Sequence, residues 1–351
     1  MTLSKDGPTT PPAGLVPAHV DRIEEELSRR WCEDAKKHSV PHMHSCAMTI
    51  IAWVEEETDS RGVLDVVEQL GGKHPVRAIV LRASDAMPEE KVSAWIGTGC
   101  TGVEASEAVC SEEIVLHANV HSPERLSSVV HGLLVPDLPV YLWWRSGSPF
   151  SNAVFRLLRP LADRIVVDSI LFGDGAAALD TLRRLVQQGG ARTTVRDLNW
   201  QRTEPWRNAI AACFDDADVL AMLPDLNRCA VTYASPAESK ASARSLLMSG
   251  WLASRYEPLR GHCKLATSQT VDISLGRVAS IALSSSTDKV SLLLERQQSP
   301  AGIKAAANMA DGRLLKEWIF PAKSLSEAEL LDRCLDALGR DALFELALEA
   351  W

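Results

Sequence analysis

Short apolar runs alternate with amphipathic stretches through the first half of the chain. Ile23, Leu27 and Trp31 recur at four-residue spacing among charged residues and predict a helix over about 19–37 that packs one face on the core. This helix is followed by strand-like apolar runs at 47–54, 76–82, 91–96 and 113–120, with a helical pattern at 62–70. The order predicts βαβ units together with one hairpin.

A second series of strands and helices follows. Ser122 and Pro123 predict the N-cap and the first position of a helix. Val140–Trp144 is short, continuous and rich in aromatic residues, which predicts a buried strand, and 164–170 is also strand-like. Asp174 predicts the N-cap of a further helix. Parallel strands joined by crossover helices are the expected product.

The second half of the chain has a different pattern. Two capping-box patterns, Ser235 with Glu238 and Ser324 with Glu327, predict helix starts at these positions. A last helix is predicted from about 341 to 350. Two apolar runs joined by a polar turn, at 277–284 and 289–296, predict an antiparallel hairpin. A mixed sheet with helices is therefore expected here.

The expected fold class is α/β with two domains. At roughly 150 residues per domain, 351 residues fit two of them. We expect a flexible N-terminal tail at 1–18, then an N-terminal domain at 19–172 with a mostly parallel sheet and crossover helices. The C-terminal domain, at 173–351, is expected to combine a mixed sheet with helices.

Composition narrows the class of protein. Hydrophobic residues make up 46%, the mean hydropathy is -0.04 and the net charge is -9. These values are typical of a globular protein and disfavour a broad nucleic-acid or anionic-membrane surface. The polar, proline-rich start lacks the apolar stretch of a secretory signal, so a cytoplasmic location is expected. Eight scattered cysteines without C-x-x-C spacing predict reduced thiols rather than a disulfide framework.

One glycine motif could bind a dinucleotide. Gly97, Gly99 and Gly102 have the G-x-G-x-x-G spacing that lets backbone amides approach a pyrophosphate. The helix that this motif requires is missing from the pattern that follows, so a glycine-rich hairpin loop is the favoured interpretation. No cofactor is predicted.

Two clusters of potential metal ligands have ordinary alternatives. His38, His42, His44 and Cys46 are dense enough for zinc, but their spacing fits no tetrahedral template, and packing or surface histidines are favoured. The acidic cluster at 215–218 follows a helical face and is interpreted as a solvated helix end. Nucleophile-elbow, zinc-helix and P-loop motifs do not occur. No metal site and no catalytic residue are predicted.

Tryptophan stands out, with 10 residues beside 3 Tyr and 6 Phe. Tryptophan and arginine dominate the energetics of many protein interfaces, so two Trp/Arg blocks are candidates for partner binding. The alternative, equally open at this stage, is that the tryptophans fill a strand core and close a domain junction. The candidate partner-binding residues are Trp143, Trp144, Arg145, Trp200, Arg202, Trp206 and Arg207.

Four segments resemble the glucose-6-phosphate dehydrogenase assembly protein family, OpcA, and occur in the order expected for that family. The resemblance covers most of the chain. Some members have Cys where Val76 stands here, so a role attached to that thiol does not transfer. The segments are 73–80 (Lys-His-Pro-Val-Arg-Ala-Ile-Val), 136–145 (Pro-Asp-Leu-Pro-Val-Tyr-Leu-Trp-Trp-Arg), 197–207 (Asp-Leu-Asn-Trp-Gln-Arg-Thr-Glu-Pro-Trp-Arg) and 250–255 (Gly-Trp-Leu-Ala-Ser-Arg).

The resemblance implies a non-catalytic protein that binds tetrameric glucose-6-phosphate dehydrogenase. It implies promotion of the active oligomeric state of that enzyme, and so of the oxidative pentose phosphate pathway and NADPH supply. The rival hypothesis is an α/β enzyme or sensor that binds a nucleotide or sugar phosphate. Its best anchors would be the loop at 97–102 and the cluster Lys73, His74 and Arg77.

Overall fold

The computed structural model describes residues 14–37, 42–44, 46–71, 73–101, 108–235, 241–268, 276–287, 289–299 and 301–351. The chain divides into two compact units. The first extends to Val167 and also contains 191–194, and the second contains 168–190 and 195–351. The sequence-based boundary at 172/173 stays a prediction. In the described ranges, every helix is too short or too polar to span a bilayer.

The first unit is built on a mostly parallel sheet. Its strand order is β1-β5-β6-β4-β3-β7-β8-β9, and β2 pairs with β6; only Thr194 of β9 belongs to this unit, since 195–197 are part of the second. Neighbours run parallel from β6 to β8, whereas β5 is antiparallel to both β1 and β6. The strands are β1 (Val16–Ala18), β2 (His42–His44), β3 (Met48–Trp53), β4 (Val76–Ala83), β5 (Val92–Thr101), β6 (Ala108–Ala118), β7 (Val140–Trp144), β8 (Arg164–Val167) and β9 (Thr194–Asp197).

The central strands are buried on both faces. Every residue of β3, β7 and β8 is buried, and Ile51, Ile79 and Leu142 have no accessible surface. Parallel strands are continuous apolar runs because crossover helices cover both faces of the sheet. The helices of this unit are α1 (Ile23–Lys37), α2 (Glu57–Leu70), α3 (Pro123–Leu133) and α4 (Ala153–Leu158).

The two described glycines of the glycine motif lie in a strand rather than in a loop. Gly97 and Gly99 belong to β5, opposite Glu113 and Ser111 of β6. A Cβ atom on Gly97 would overlap Leu15, and one on Gly99 would lie 2.6 Å from the Glu113 Oε1 atom. Close packing therefore explains both glycines, and Gly102 lies outside the described residues. The hairpin between the two predicted strand runs is confirmed, but its glycines are not where the loop was expected.

One cysteine departs from the expectation of reduced thiols. Cys110 is disulfide-bonded, and the antiparallel register sets its Cα opposite that of Cys100. Antiparallel neighbours of this kind are close enough in the backbone for a cross-strand pair. The other described thiols are reduced, at Cys32, Cys46, Cys213, Cys229, Cys263 and Cys334.

The second unit contains the predicted mixed sheet. Its order is β11-β10-β12-β13-β14-β15, with β10 and β11 parallel and all other neighbours antiparallel. The strands are β10 (Arg228–Ala234), β11 (Cys263–Ser268), β12 (Val278–Ser284), β13 (Val290–Gln297), β14 (Gly302–Met309) and β15 (Leu314–Pro321). The helices are α5 (Gly175–Gly189), α6 (Leu198–Gln201), α7 (Glu204–Cys213), α8 (Ala217–Leu220), α9 (Ala243–Arg255), α10 (Glu327–Asp336) and α11 (Ala342–Ala350).

Two predicted helix starts are wrong. The backbone N–H of Ser235 donates to the carbonyl of Ser268, which extends the pairing of β10 with β11, and α9 starts later with Ser242 as its N-cap. Glu238 of that predicted box lies outside the described residues. The capping box of α10 joins Ser326 and Glu329 instead of Ser324 and Glu327. For α10 the pattern is correct in kind and shifted by two residues, since serine and glutamate recur at 324–329.

Helices α9 and α11 pack with almost no space between their backbones. A Cβ atom on Gly250 of α9 would overlap the backbone carbonyl of Ala347 in α11. Glycine at this position therefore allows a contact that any side chain would prevent. The close contact explains why the segment at 250–255 begins with glycine.

We expect Gly250→Ala to destabilise the protein by about 2–4 kcal/mol, because the new methyl group meets backbone rather than a flexible side chain. Gly132→Ala in α3 is the matched control. A Cβ atom there has open space, so alanine should stabilise the helix by roughly 0.5–1 kcal/mol. Thermal and urea unfolding of both variants provide the measurement, and equal stability of the two would contradict the close contact.

Glu113 makes the stability of the protein depend on pH. Burial raises the pKa of this carboxyl to about 7, with Glu68 and Asp65 adding to the rise and Arg61 opposing it. The folded state therefore holds a proton that the unfolded chain has already released above pH ~4.5. We expect the free energy of unfolding to fall by roughly 1–3 kcal/mol as the pH rises from about 4.5 to 7.

Glu113→Gln should remove this contribution, so its unfolding free energy should change less over that pH interval. Glu90→Gln, on an exposed loop, controls for the loss of one acidic residue. Urea unfolding at several pH values measures the difference. Parallel pH profiles for wild type and Glu113→Gln would contradict the prediction.

Candidate functional site

The segment 197–207 sends its two tryptophans into the core of the second unit. Trp200 and Trp206 are each 1% exposed. The Trp200 Nε1 atom donates a 3.0 Å hydrogen bond to Asp341, which also caps α11, and its ring lies 5.7 Å from that of Phe344. A buried indole needs such a partner for its N–H group. Trp200 thus connects α6 to the start of α11.

The two arginines of this segment are only half-buried. The Arg207 guanidinium stacks 3.7 Å from the centre of the Trp200 ring, and burial lowers its pKa to about 10, with Asp341 opposing that change. Arg202 makes two 2.7 Å hydrogen bonds to the carboxylate of Asp168. Burial tends to lower the pKa of Arg202, but these bonds outweigh it and raise the pKa. Both side chains are thus held in fixed positions.

A buried hydrogen-bond chain starts at Asp197. This carboxylate accepts from the backbone N–H and hydroxyl of Ser169, at 2.9 and 2.7 Å, and from the backbone N–H of Asn199. Burial, and then the nearby charge of Asp168, raises its pKa to about 6. Asn199 donates to the Ser169 hydroxyl and accepts from the Arg244 Nε atom at 2.8 Å. The chain therefore ends by orienting a guanidinium of α9.

That guanidinium belongs to a cationic cavity of about 60 Å³. The Trp206 ring forms part of its wall, with Arg296 stacked 5.4 Å from the ring centre. Burial lowers the pKa of Arg244 to about 9, and the neighbouring Arg202 adds to this effect. Burial and Arg277 likewise lower the pKa of Arg296. The cationic side chains lining the cavity are Arg202, Arg244, Arg277, Arg296 and Lys323.

The block at 136–145 is arranged in a similar way within the first unit. Trp143 and Trp144 are 0% and 1% exposed. Trp144 stacks on Trp53 with ring centres 5.3 Å apart and donates to the carbonyl of Gly147. Arg145 is half-buried, 5.1 Å from the centre of the Trp143 ring. Both blocks therefore share one design, in which an arginine lies against a buried indole.

The structure brings Trp200, Arg202, Trp206 and Arg207 together in the second unit, and Trp143, Trp144 and Arg145 together in the first. All four indoles face the interior, whereas the three arginines are partly exposed. Whether these residues bind a partner stays a prediction.

The cavity arginines at 244, 277 and 296 were not among the predicted site residues. They give no local sequence signal, because they come from three separate elements. Arg244 differs from its neighbours in that residues 243–253 of α9 are all buried.

The anchors of the rival hypothesis have other roles where they can be described. Arg77 is buried, and its guanidinium contacts Glu112 and Glu24, each at 2.5 Å, and also the carbonyl of Leu133. Those ion pairs already balance the positive charge that a phosphate would need.

The predicted acidic cluster at 215–218 lies at a helix start. Asp216 caps α8 and accepts from Lys316 at 2.5 Å, as expected for a solvated helix end.

Of the predicted cluster of histidines and one cysteine, Cys46 is the residue whose side chain the structure describes. His38 lies outside the described residues, and the side chains of His42 and His44 are not described. The Cys46 thiol donates to the carbonyl of Met48 at 3.3 Å, and burial raises its pKa.

Comparison with known proteins gives two family matches. Residues 67–184 match the model of the glucose-6-phosphate dehydrogenase subunit N-terminal domain, and 193–348 match the corresponding C-terminal domain. An OxPP cycle protein OpcA of Nostoc punctiforme is 27% identical over 243 residues, 64% of this chain and 50% of that protein. The Synechocystis protein of the same name is 28% identical over 222 residues, 63% of this chain and 44% of its own. This chain thus spans half or less of the length of these relatives.

A solved structure, glucose-6-phosphate 1-dehydrogenase from Mycobacterium avium, aligns with a TM-score of 0.49 and 10% identity. The alignment covers 88% of this chain and 91% of that one. Likeness at this level carries no information on function. The family models are different, because together they cover well over half of the chain. This chain therefore belongs to the glucose-6-phosphate dehydrogenase assembly protein family, OpcA.

Proposed function

We propose that this protein is a non-catalytic partner of tetrameric glucose-6-phosphate dehydrogenase and favours the active state of that enzyme. The observation that carries the proposal is the match of both family domains, one after the other, along most of the chain. The Trp/Arg blocks support it, because such residues commonly anchor protein interfaces.

The mechanism is a shift between two conformers of the dehydrogenase. A partner can change this equilibrium only if it binds one conformer more tightly than the other. We propose that it prefers the conformer with the higher affinity for glucose 6-phosphate. Linkage then requires the sugar phosphate to tighten the protein–protein complex by the same factor.

The contact surface that we propose in the second unit combines arginine with exposed apolar side chains. Ile170 and Leu171 are 50% and 47% exposed and follow Asp168, the residue that holds Arg202. Exposed apolar residues rimmed by charge are typical of interaction sites. The stacking of Arg207 on Trp200 fixes that guanidinium before a partner arrives, which reduces the entropy lost on binding. In the first unit, Arg145 on Trp143 is the corresponding candidate.

We expect titration of this protein into the cognate dehydrogenase to lower the KM for glucose 6-phosphate and to form a larger complex in sedimentation. The dissociation constant of the complex should be lower when sugar phosphate is present. Where KM equals the dissociation constant of the substrate, it should fall by the same factor as KM. Equal complex affinities with and without glucose 6-phosphate would refute the allosteric mechanism. Turnover of the sugar phosphate by this protein alone would refute the non-catalytic role.

We expect Arg207→Ala and Arg145→Ala to weaken the complex by about tenfold each, because each removes a pre-oriented guanidinium. Arg313→Ala, an exposed arginine on the β14–β15 turn, should leave the affinity unchanged. Trp206→Ala is unsuitable, since losing a buried indole costs about 3–5 kcal/mol of stability. Surface plasmon resonance measures the affinities and circular dichroism checks the fold. If folded Arg207→Ala and Arg145→Ala both bind like wild type, the proposed surface is wrong.

A further inference from the structure

The cationic cavity collects arginines from distant parts of the second unit. Arg202 follows α6, Arg244 lies in the first turn of α9, Arg277 precedes β12 and Arg296 belongs to β13. No local pattern produces this convergence, so the tertiary fold itself places four guanidiniums around one small space. Such a cluster is costly unless something of opposite charge balances it.

Three of these guanidiniums form no direct ion pair with a carboxylate in the part of the chain that the structure describes, and Asp168 acts on Arg244 only from a longer distance. Arg202 has Asp168 as its counter-ion. Among the described residues, Arg244 donates a hydrogen bond to the Asn199 amide oxygen, Arg296 to the Val278 carbonyl, and Arg277 to the Ser324 hydroxyl. All three acceptors are neutral. Arg244 is also 93% buried, so its charge cannot be balanced by bulk solvent.

Helix starts add to the positive character of the cavity wall. Trp206 lies in the first turn of the ten-residue α7, and Arg244 in the first turn of the thirteen-residue α9. Residues 323–325 of the wall come just before α10. The N-terminal end of a helix carries partial positive charge and favours anions.

We propose that this cavity binds the phosphate group of a phosphomonoester. A water-sized group needs roughly 10–15 Å³, so the cavity of about 60 Å³ has room for about the four oxygens of one phosphate. The remainder of the ligand would lie at the open mouth. Guanidinium groups match phosphate oxygens with paired hydrogen bonds, and a dianion balances more of the unpaired charge than a single carboxylate does.

This site belongs to the chain alone and does not rest on the proposed partnership with the dehydrogenase. It is also distinct from the anchors at 73–77 and 97–102, where Arg77 is already ion-paired and the described glycines pack in a strand. Phosphate is expected to bind to the isolated protein, so failure of this proposal and failure of the proposed function can be told apart.

The test is isothermal titration of the purified full chain at constant ionic strength with four probes: inorganic phosphate, methyl phosphate, dimethyl phosphate and succinate. We expect the first two to bind and to raise the melting temperature by a few degrees, and the diester and succinate to bind at least tenfold more weakly. Arg277→Gln should weaken phosphate binding by about tenfold or more, and Arg244→Gln should abolish it. Arg313→Gln, at an exposed residue that does not line the cavity, should bind phosphate like wild type.

Absence of phosphate binding at millimolar concentration would overturn the proposal, and so would unchanged binding in folded Arg277→Gln. Succinate binding as tightly as phosphate would also overturn it, in favour of an acidic side chain as the natural occupant. If Arg244→Gln does not fold, Arg277→Gln and Arg296→Gln decide the question, because both residues are more accessible than Arg244.

Discussion

The second unit depends on how it places positive charge beside apolar rings and buried acids. Asp197, Ser169 and Asn199 form one hydrogen-bonded chain that ends on Arg244, so the position of a buried guanidinium is set from β9 and α6 rather than from its own helix. A network of this kind is stable only when its members are hydrogen-bonded, because each unpaired buried polar group costs about 1–3 kcal/mol. The cavity arginines that form no ion pair among the described residues do not meet this requirement.

The tryptophans have a clearer physical role than their abundance suggested. Each of three arginines lies over an indole that is itself almost fully buried: Arg145 over Trp143, Arg207 over Trp200 and Arg296 over Trp206. The ring contributes buried apolar area and the guanidinium shields its face, so packing and orientation come from the same contact. The two interpretations of the Trp/Arg blocks, core packing and partner recognition, are therefore compatible, since a buried ring can hold an accessible charge in place.

Much of the fold could be predicted where a local pattern has a single structural solution. Val140–Trp144 is a continuous apolar strand, Asp174 caps α5, and the hairpin of β12 and β13 follows two apolar runs around a polar turn. Patterns with more than one solution misled: Ser235 continues a strand pairing instead of capping a helix, and Gly97 and Gly99 pack against neighbours instead of forming a turn. In both cases a long-range contact overrode a local preference.

The α/β class, the parallel and mixed sheets and the membership of a family whose segments occur in order could all be read from the sequence, because these properties depend on periodicity and on contiguous residues. The inward orientation of the indoles in both blocks, and the convergence of Arg244, Arg277 and Arg296 on Trp206, are visible only in the folded chain. These residues are separated by tens of positions along the chain, and nothing in a local pattern encodes their distance. Charge convergence of this kind exists only once the sheet and helices have packed.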